Sequence, residues 1–140
     1  MKCRTKYGKL RKAKRRWLEL WKILIVDDQK GVRRLLEELF KRDGWDVHVA
    51  SDGKEAISKC DELSPHVVLM DMKMPNMNGL DASQEILRRH SHLPILMMTA
   101  YGEMDVIKKA LDAGVKKCIT KPFDIMDLRN MVNEMMEKVS

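Results

Sequence analysis

Five apolar runs alternate with five amphipathic segments along residues 22–140, and few folds accommodate such an alternation. A short apolar run predicts a buried strand, and apolar residues that repeat every three or four positions predict a helix. Strand–helix–strand units build a parallel sheet, and their right-handed crossovers put helices on both of its faces. The sequence therefore predicts an α/β fold, a flavodoxin-like doubly wound five-stranded parallel sheet of order 2-1-3-4-5 with helices on both faces.

The predicted elements are short and follow one another closely. The strands are expected at 22–26, 46–50, 66–70, 94–98 and 116–120. In the first helix Val32, Leu35 and Phe40 recur on one face, and the helix is expected to end near Asp43 and Gly44. The third helix is predicted at about 80–90.

Charge is distributed unevenly along the chain. Residues 1–21 hold nine Lys or Arg and one Glu, whereas residues 22–140 hold 18 basic and 20 acidic residues. We therefore expect a basic N-terminal extension over 1–21 and a folded domain over 22–140, whose acidic balance does not favour nucleic acid as a partner. The extension either binds nucleic acid or acidic lipid or is a disordered or artefactual tail. Its residues expected to pack are Trp17, Leu18, Leu20 and Trp21.

The cysteines and the hydropathy pattern restrict the compartment. Cys3, Cys60 and Cys118 are odd in number and widely spaced, which is typical of reduced thiols in the cytosol. No apolar stretch approaches the roughly 20 residues of a membrane span, and Glu19 and Lys22 interrupt any signal-peptide core. We expect a cytoplasmic protein that has no membrane partner.

Polar residues follow the predicted strands that border the switch point of the sheet. They are Asp27 and Asp28 after strand one, Asp71 after strand three, Thr99 after strand four and Lys121 after strand five. Ligands of such sheets bind outside the carboxyl ends of the strands, where strands one and three are neighbours. Each residue alone is commonly a helix cap, a turn former or a solvated charge. Their joint occurrence at corresponding places in successive units predicts one site.

These residue types suit phosphoryl transfer. Three converging carboxylates need a cation or a proton, and hard carboxylate oxygens suit Mg²⁺. A carboxylate can accept a phosphoryl group as a nucleophile, and a cation, a Lys and a hydroxyl can contact the phosphoryl oxygens. The pattern predicts a magnesium-dependent acyl-phosphate site centred on Asp71.

Two other functional classes fit less well. Phosphohydrolases with an Asp nucleophile usually place a general acid two residues later, where this chain has Lys73. A flavin or dinucleotide carrier is disfavoured because no G-x-G-x-x-G motif follows the first strand.

Residues 22–140 resemble the receiver domain of two-component response regulators, the CheY-like family. The shared motifs are Asp27-Asp28, Asp71 with Lys73 and Pro75, Thr99-Ala100 and Lys121-Pro122-Phe123. The resemblance implies that Asp71 is the phosphoacceptor and that Thr99 and Lys121 contact the phosphoryl group. It implies a Mg²⁺ site formed by Asp27, Asp28, Asp71 and the backbone carbonyl of Lys73. It also implies that Tyr101 changes its rotamer when Thr99 moves toward the phosphoryl group, and that the Lys121–Pro122 bond is cis.

Within this family, residues 22–29, 98–103 and 121–125 resemble the sporulation phosphorelay regulators. Such regulators take a phosphoryl group from a sensor histidine kinase and pass it to a histidine phosphotransferase, a four-helix bundle. The resemblance places a docking face on Gln29, Gly31, Val32, Leu35, Pro122 and Phe123. The chain departs from these relatives at Lys30, where they have a bulky aromatic residue, and at Cys118, where they have His.

We therefore expect a single-domain response regulator that relays a phosphoryl group from a sensor kinase to a histidine phosphotransferase. It would be a phosphotransfer intermediate with slow self-dephosphorylation, with room for a phosphatase as a further partner. The alternative is a stand-alone receiver that binds a target protein when phosphorylated, as chemotaxis regulators do. The face near Gln29 and Phe123 favours the relay.

Overall fold

Five parallel strands alternate with five helices in the computed structural model, which describes residues 21–139. Along the chain the elements are β1 (Lys22–Val26), α1 (Lys30–Arg42), β2 (Asp46–Ala50), α2 (Gly53–Leu63), β3 (Val67–Asp71), α3 (Gly79–Arg89), β4 (Ile95–Ala100), α4 (Met104–Asp112), β5 (Lys117–Lys121) and α5 (Ile125–Val139). Among these residues no helix is both long and apolar enough to cross a bilayer.

The strand order is β2-β1-β3-β4-β5, which confirms the predicted fold class. β1 pairs with both β2 and β3, so that Val26 lies opposite Met70 and the ends of β1 and β3 are adjacent. Successive residues of the central strands face opposite sides of the sheet, and each side packs against its own helices. Because both sides are covered, these strands are continuous apolar runs rather than alternating ones.

Three strands extend further toward the carboxyl edge than the sequence predicts. β3, β4 and β5 end at Asp71, Ala100 and Lys121 instead of residues 70, 98 and 120. Each also begins one residue later than predicted. Pro94 precedes β4, and its carbonyl accepts a hydrogen bond from the Val68 amide at 3.0 Å. Asp71 and Lys121 are thus the last residues of their strands, opposite Met98 and Ala100, and do not belong to the following loops.

Trp21 is the first described residue and packs against the domain. Its carbonyl accepts a hydrogen bond from the Asp46 amide at 2.9 Å, and its ring centroid lies 5.8 Å from that of Trp45. The other predicted packing residues of the basic extension, Trp17, Leu18 and Leu20, lie outside the described residues, as does most of the extension itself.

Helix α3 begins in direct contact with the end of β3. The Gly79 amide donates to the Met72 carbonyl at 2.7 Å, and the Asn78 side chain accepts from the Asp81 amide at 2.8 Å. A Cβ atom on Gly79 would lie 2.3 Å from the Asp71 carbonyl oxygen and 2.8 Å from the Met72 Cα. The neighbouring atoms are backbone, so only glycine lets α3 start so close to Asp71.

Replacing Gly79 by Ala should destabilise the protein by about 2 kcal/mol, a typical cost of overpacking. The matched control is Gly31→Ala in α1, where the added Cβ meets no described atom within 4 Å. That substitution should be neutral or stabilising by up to about 1 kcal/mol, because Ala is the better helix former. Urea unfolding of both variants measures the difference, and equal stabilities would contradict the close contact.

Candidate functional site at the carboxyl edge of the sheet

Three carboxylates converge where β1 and β3 end. Asp27, Asp28 and Asp71 each place one oxygen within 4.8 Å of the others. Asp27 and Asp71 are buried, whereas Asp28 is exposed. The site therefore has two carboxylates inside the protein and a third that is accessible to solvent.

Asp27 is held by groups from several elements. Its backbone amide donates to the Ala50 carbonyl of β2 at 3.1 Å, and its Oδ1 accepts from the Gln29 amide at 2.9 Å. Its side chain is fully buried. A buried carboxylate with this many donors has one orientation, and it faces the end of β5.

Lys121 bridges the two buried acids. Its Nζ lies 3.2 Å from Asp27 Oδ2 and 3.1 Å from Asp71 Oδ1. Burial lowers the pKa of this ammonium, but the carboxylates of Asp71 and Asp27 outweigh burial and raise the pKa above its ordinary value. Lys121 is therefore a permanent cation, and it balances only one of the three negative charges.

The ionised form of the Asp71 carboxyl is disfavoured by this arrangement. Burial first, and the negative charge of Asp27 second, raise its pKa from 3.8 to about 6, although Lys121 acts in the opposite direction. Ionised Asp71 thus needs a further cation or the loss of a neighbouring charge. Three carboxylate oxygens in mutual reach, one of them solvent-exposed, fit Mg²⁺, which takes one or two protein carboxylates and retains waters.

The three other residues predicted for the site, Thr99, Tyr101 and Lys73, differ in how far they are buried. Thr99 is buried beside the end of β3, and among the described residues its Oγ1 has no hydrogen-bond partner. Tyr101, two residues later, is 88% exposed. Lys73 is exposed two residues after Asp71. The metal role of its carbonyl and the switch role of Thr99 and Tyr101 stay predictions.

An apolar groove lies beside the carboxylates. The Lys121–Pro122 bond is cis, as the resemblance implies. The groove has a volume of about 490 Å³. It is lined by Val32, Leu35, Leu36, Ala100, Lys121, Pro122, Phe123 and Ile125. Leu35 is 52% exposed although it lies in an otherwise core-facing pattern.

The groove includes four of the six predicted docking residues. Gln29 and Gly31 are exposed near the start of α1 and do not line it. Sequence reasoning missed Leu36, Ala100 and Ile125, which look like ordinary core or strand residues in the sequence. It also missed Arg33, whose side chain donates to the Asp27 carbonyl.

The fold and the carboxylate cluster together define a class of phosphoryl-accepting regulatory domain. The sequence profile of the response regulator receiver domain matches residues 23–133. The chain belongs to the response regulator receiver family, whose members are phosphorylated on an aspartate and generally bind Mg²⁺ at an acidic cluster.

Relatives of different types are similar to this chain to the same degree. It is 38% identical over 113 residues to sporulation initiation phosphotransferase F of Bacillus subtilis, covering 81% of this chain and 91% of that protein. It is 38% identical over 120 residues to chemotaxis protein CheY of Thermotoga maritima, covering 85% and 97%. It spans only 25% of regulatory protein AtoC of Escherichia coli, at 37% identity.

A solved structure supports the same fold. The receiver domain protein (CheY-like) of Methanospirillum hungatei superposes with a TM-score of 0.82 at 25% identity, covering 86% of this chain and 96% of that one.

Asp71→Asn should stabilise the metal-free protein at pH 8 but not at pH 4. The folded-state pKa of Asp71 is about 6, above its ordinary 3.8. Below both pKa values the carboxyl is protonated in the folded and the unfolded state. Between about pH 4 and 6 mainly the unfolded state ionises, so the wild type loses on the order of 2 kcal/mol of stability, and the loss is complete above pH 6. The variant escapes this cost, and Lys121 keeps Asp27 as its partner.

Urea unfolding in metal-free buffer between pH 4 and 8 measures the effect. The control is Glu38→Gln, which removes an exposed carboxylate of α1 and should show no comparable rise. A stability difference for Asp71→Asn that does not grow with pH would contradict a strained Asp71.

Proposed function

We propose that this chain is a phosphorelay receiver that accepts a phosphoryl group on Asp71 from a sensor histidine kinase and passes it to a histidine phosphotransferase. The observation that carries the proposal is the position of Asp71. It is a buried carboxylate at the end of the central strand, 3.1 Å from Lys121 and in reach of Asp27 and Asp28. Membership of the receiver family supports the kinase as donor.

In the transfer step an Asp71 carboxylate oxygen bonds to phosphorus while the bond between phosphorus and the donor histidine nitrogen breaks. The nitrogen keeps the electron pair and takes a proton from solvent. Onward transfer runs in the opposite sense: a phosphotransferase histidine nitrogen loses its proton and bonds to phosphorus while the bond between phosphorus and the Asp71 oxygen breaks. An ionised Asp71 is required, because a protonated carboxyl is a poor nucleophile.

Charge neutralisation explains the remaining residues. Asp27, Asp28, Asp71 and the Lys73 carbonyl would hold Mg²⁺, which would supply positive charge to the phosphoryl oxygens. Lys121 can pair with one phosphoryl oxygen, since its ammonium already lies beside Asp71. The Thr99 hydroxyl, which has no hydrogen-bond partner within residues 21–139, can donate to another. Its movement toward the new charge is the event that we link to Tyr101.

The apolar groove supports a relay in particular. Val32 and Leu35 on α1 and Pro122 and Phe123 after β5 form its walls, immediately beside Lys121. A helix of a four-helix bundle that fills this groove would bring its histidine to Asp71. The relative named as a sporulation phosphotransferase is consistent with such a role in a sporulation-type relay. Cys60 and Cys118 are free thiols, in keeping with a cytoplasmic protein.

A second candidate is a stand-alone receiver that binds a target protein once phosphorylated. Exposed apolar side chains on the α4 side favour it, because Tyr101 is 88% and Met104 is 70% exposed. The chemotaxis relative is as similar to this chain as the sporulation relative. The two candidates share the phosphorylation site and differ in the surface that a partner covers.

Asp71→Asn should abolish labelling by a small acyl phosphate or phosphoramidate in the presence of Mg²⁺. The amide is a poor nucleophile, and no other acid ends the central strand next to Asp27 and Asp28 within residues 21–139. Intact-protein mass spectrometry should show one added phosphoryl group on the wild type. Equal labelling of the variant would disprove the assignment.

Phe123→Ala should slow transfer to and from a histidine-bearing four-helix bundle by at least about tenfold. Interfaces concentrate their binding energy in a few apolar anchors, worth about 2 kcal/mol or more each. Labelling by small donors should survive, because they need the carboxylates but not the groove. The transfer of radioactive phosphate between the purified proteins measures the rate.

The matched control is Met104→Ala, which removes an exposed apolar side chain on the α4 side. The relay predicts normal transfer for this variant. If Met104→Ala weakened a phosphorylation-dependent complex while Phe123→Ala changed nothing, the target-binding receiver would be the better account. If Phe123→Ala lost small-donor labelling as well, Phe123 would be a structural residue.

A further inference from the structure

The side chain of Arg33 reaches back from α1 to the loop that carries the acid pair. Its Nη1 donates to the backbone carbonyl of Asp27 at 2.8 Å. Its own amide donates to the Gln29 carbonyl at 3.0 Å and closes the first turn of the helix. The loop from Asp27 to Gln29 is therefore tied to Arg33 by both backbone and side chain.

This bond completes the set of partners around Asp27. The amide of Asp27 donates to β2, one carboxylate oxygen accepts from Gln29, and the other accepts from Lys121. The carbonyl, which a buried residue must also satisfy, accepts from Arg33. Asp28 follows at once and is exposed, so its direction depends on how the Asp27 carbonyl is held.

The position of Arg33 is not explained by the stability of α1. The first turn of α1 contains no acidic residue, and Lys30, Arg33 and Arg34 all lie within its first five positions. Positive charge at a helix N-terminus opposes the helix dipole. Within residues 21–139, moreover, the Gln29 side chain forms no capping hydrogen bond. Helix α1 thus has an unfavourable positive charge at its N-terminus, next to the loop from Asp27 to Gln29, the acid loop.

We propose that Arg33 is a positioning residue for the metal site: its hydrogen bond to the Asp27 carbonyl holds the Asp27–Asp28 loop toward Asp71 and so strengthens Mg²⁺ binding. The inference rests on the metal site of the proposed function. It assigns to Arg33 a role that its charge alone would oppose, because a guanidinium repels a divalent cation.

The two effects of Arg33 have opposite signs, which makes them separable. Removing only a positive charge near the carboxylates should tighten Mg²⁺ binding. Removing the hydrogen bond should loosen the loop and weaken binding. The adjacent residue, Arg34, is exposed and offers the same charge on the same helix. A pair of matched variants at 33 and 34 therefore isolates the hydrogen bond.

The experiment compares Arg33→Met, Arg34→Met and Arg33→Lys in the full chain. Methionine keeps an unbranched stem but has neither charge nor donor. Calorimetric titration of metal-free protein with Mg²⁺ should give a dissociation constant for Arg33→Met about three- to tenfold weaker than wild type, the range expected for one lost hydrogen bond. Arg34→Met should bind as wild type or slightly tighter. Arg33→Lys, which keeps a donor and the charge, should recover most of the affinity.

Amide hydrogen exchange in metal-free buffer distinguishes positioning from general destabilisation. In Arg33→Met the Gln29 amide, which donates to Asp27 Oδ1, should exchange faster while amides of the central strands keep their protection. If Arg33→Met does not fold, Arg33→Leu against Arg34→Leu provides the same comparison, because leucine also has neither charge nor donor.

Three results would overturn the inference. Binding by Arg33→Met as tight as that of Arg34→Met would show that Arg33 acts by charge alone. Faster exchange spread over the whole domain would show a structural residue. If the wild type bound no Mg²⁺, the metal site of the proposed function would fail and this inference with it. If the wild type bound Mg²⁺ but Arg33→Met and Arg34→Met bound it with equal affinity, the inference would fail and the proposed function would stand.

Discussion

Three carboxylates within 4.8 Å of one another repel strongly in a site where two of them are buried. Lys121 balances one charge by bridging Asp27 and Asp71, and the raised pKa of Asp71 shows that the balance is incomplete. The metal-free protein is therefore destabilised above the raised pKa of Asp71, where that carboxyl ionises. Binding of a divalent cation would remove this repulsion, so the repulsion that weakens the fold would favour metal binding and, in the proposed function, would keep Asp71 ionised as the nucleophile.

The sheet supplies rigidity against that repulsion. β1 and β3 are neighbours near the middle of the order β2-β1-β3-β4-β5, and the apolar residues of both strands are fully buried. Buried strands paired on both sides cannot splay apart when charges at their ends repel. α3 adds a further restraint, because Gly79 brings its first turn against the Asp71 backbone. The carboxylates are thus held together by the packing of the strands and of α3 against their backbones.

Much of this arrangement could be predicted from the sequence, and the parts that could not share a physical cause. The alternation of apolar runs and amphipathic segments admits few topologies, which is why the strand order and the convergence of Asp27 with Asp71 were predictable. The ends of β3 and β5 were misplaced because an apolar run stops at a polar residue, whereas the hydrogen-bond ladder continues through Asp71 and Lys121. The exposure of Tyr101 and the bond from Arg33 depend on side-chain direction, which residue periodicity does not contain.

Helix α1 contributes to two parts of the molecule at once. Arg33 holds the acid loop, while Val32 and Leu35 form one wall of the groove in which we expect a partner helix. A partner that packs on Val32 therefore contacts the residue adjacent to Arg33, and a shift of α1 reaches the Asp27–Gln29 loop through the two hydrogen bonds of Arg33. Such contacts between adjacent residues can couple metal binding to partner binding. The coupling free energy is reciprocal, so that each ligand changes the affinity for the other by the same factor. If docking tightens the loop, the partner binds the metal-loaded form better than the apo form, and phosphotransfer is then favoured in complexes that already contain the ion.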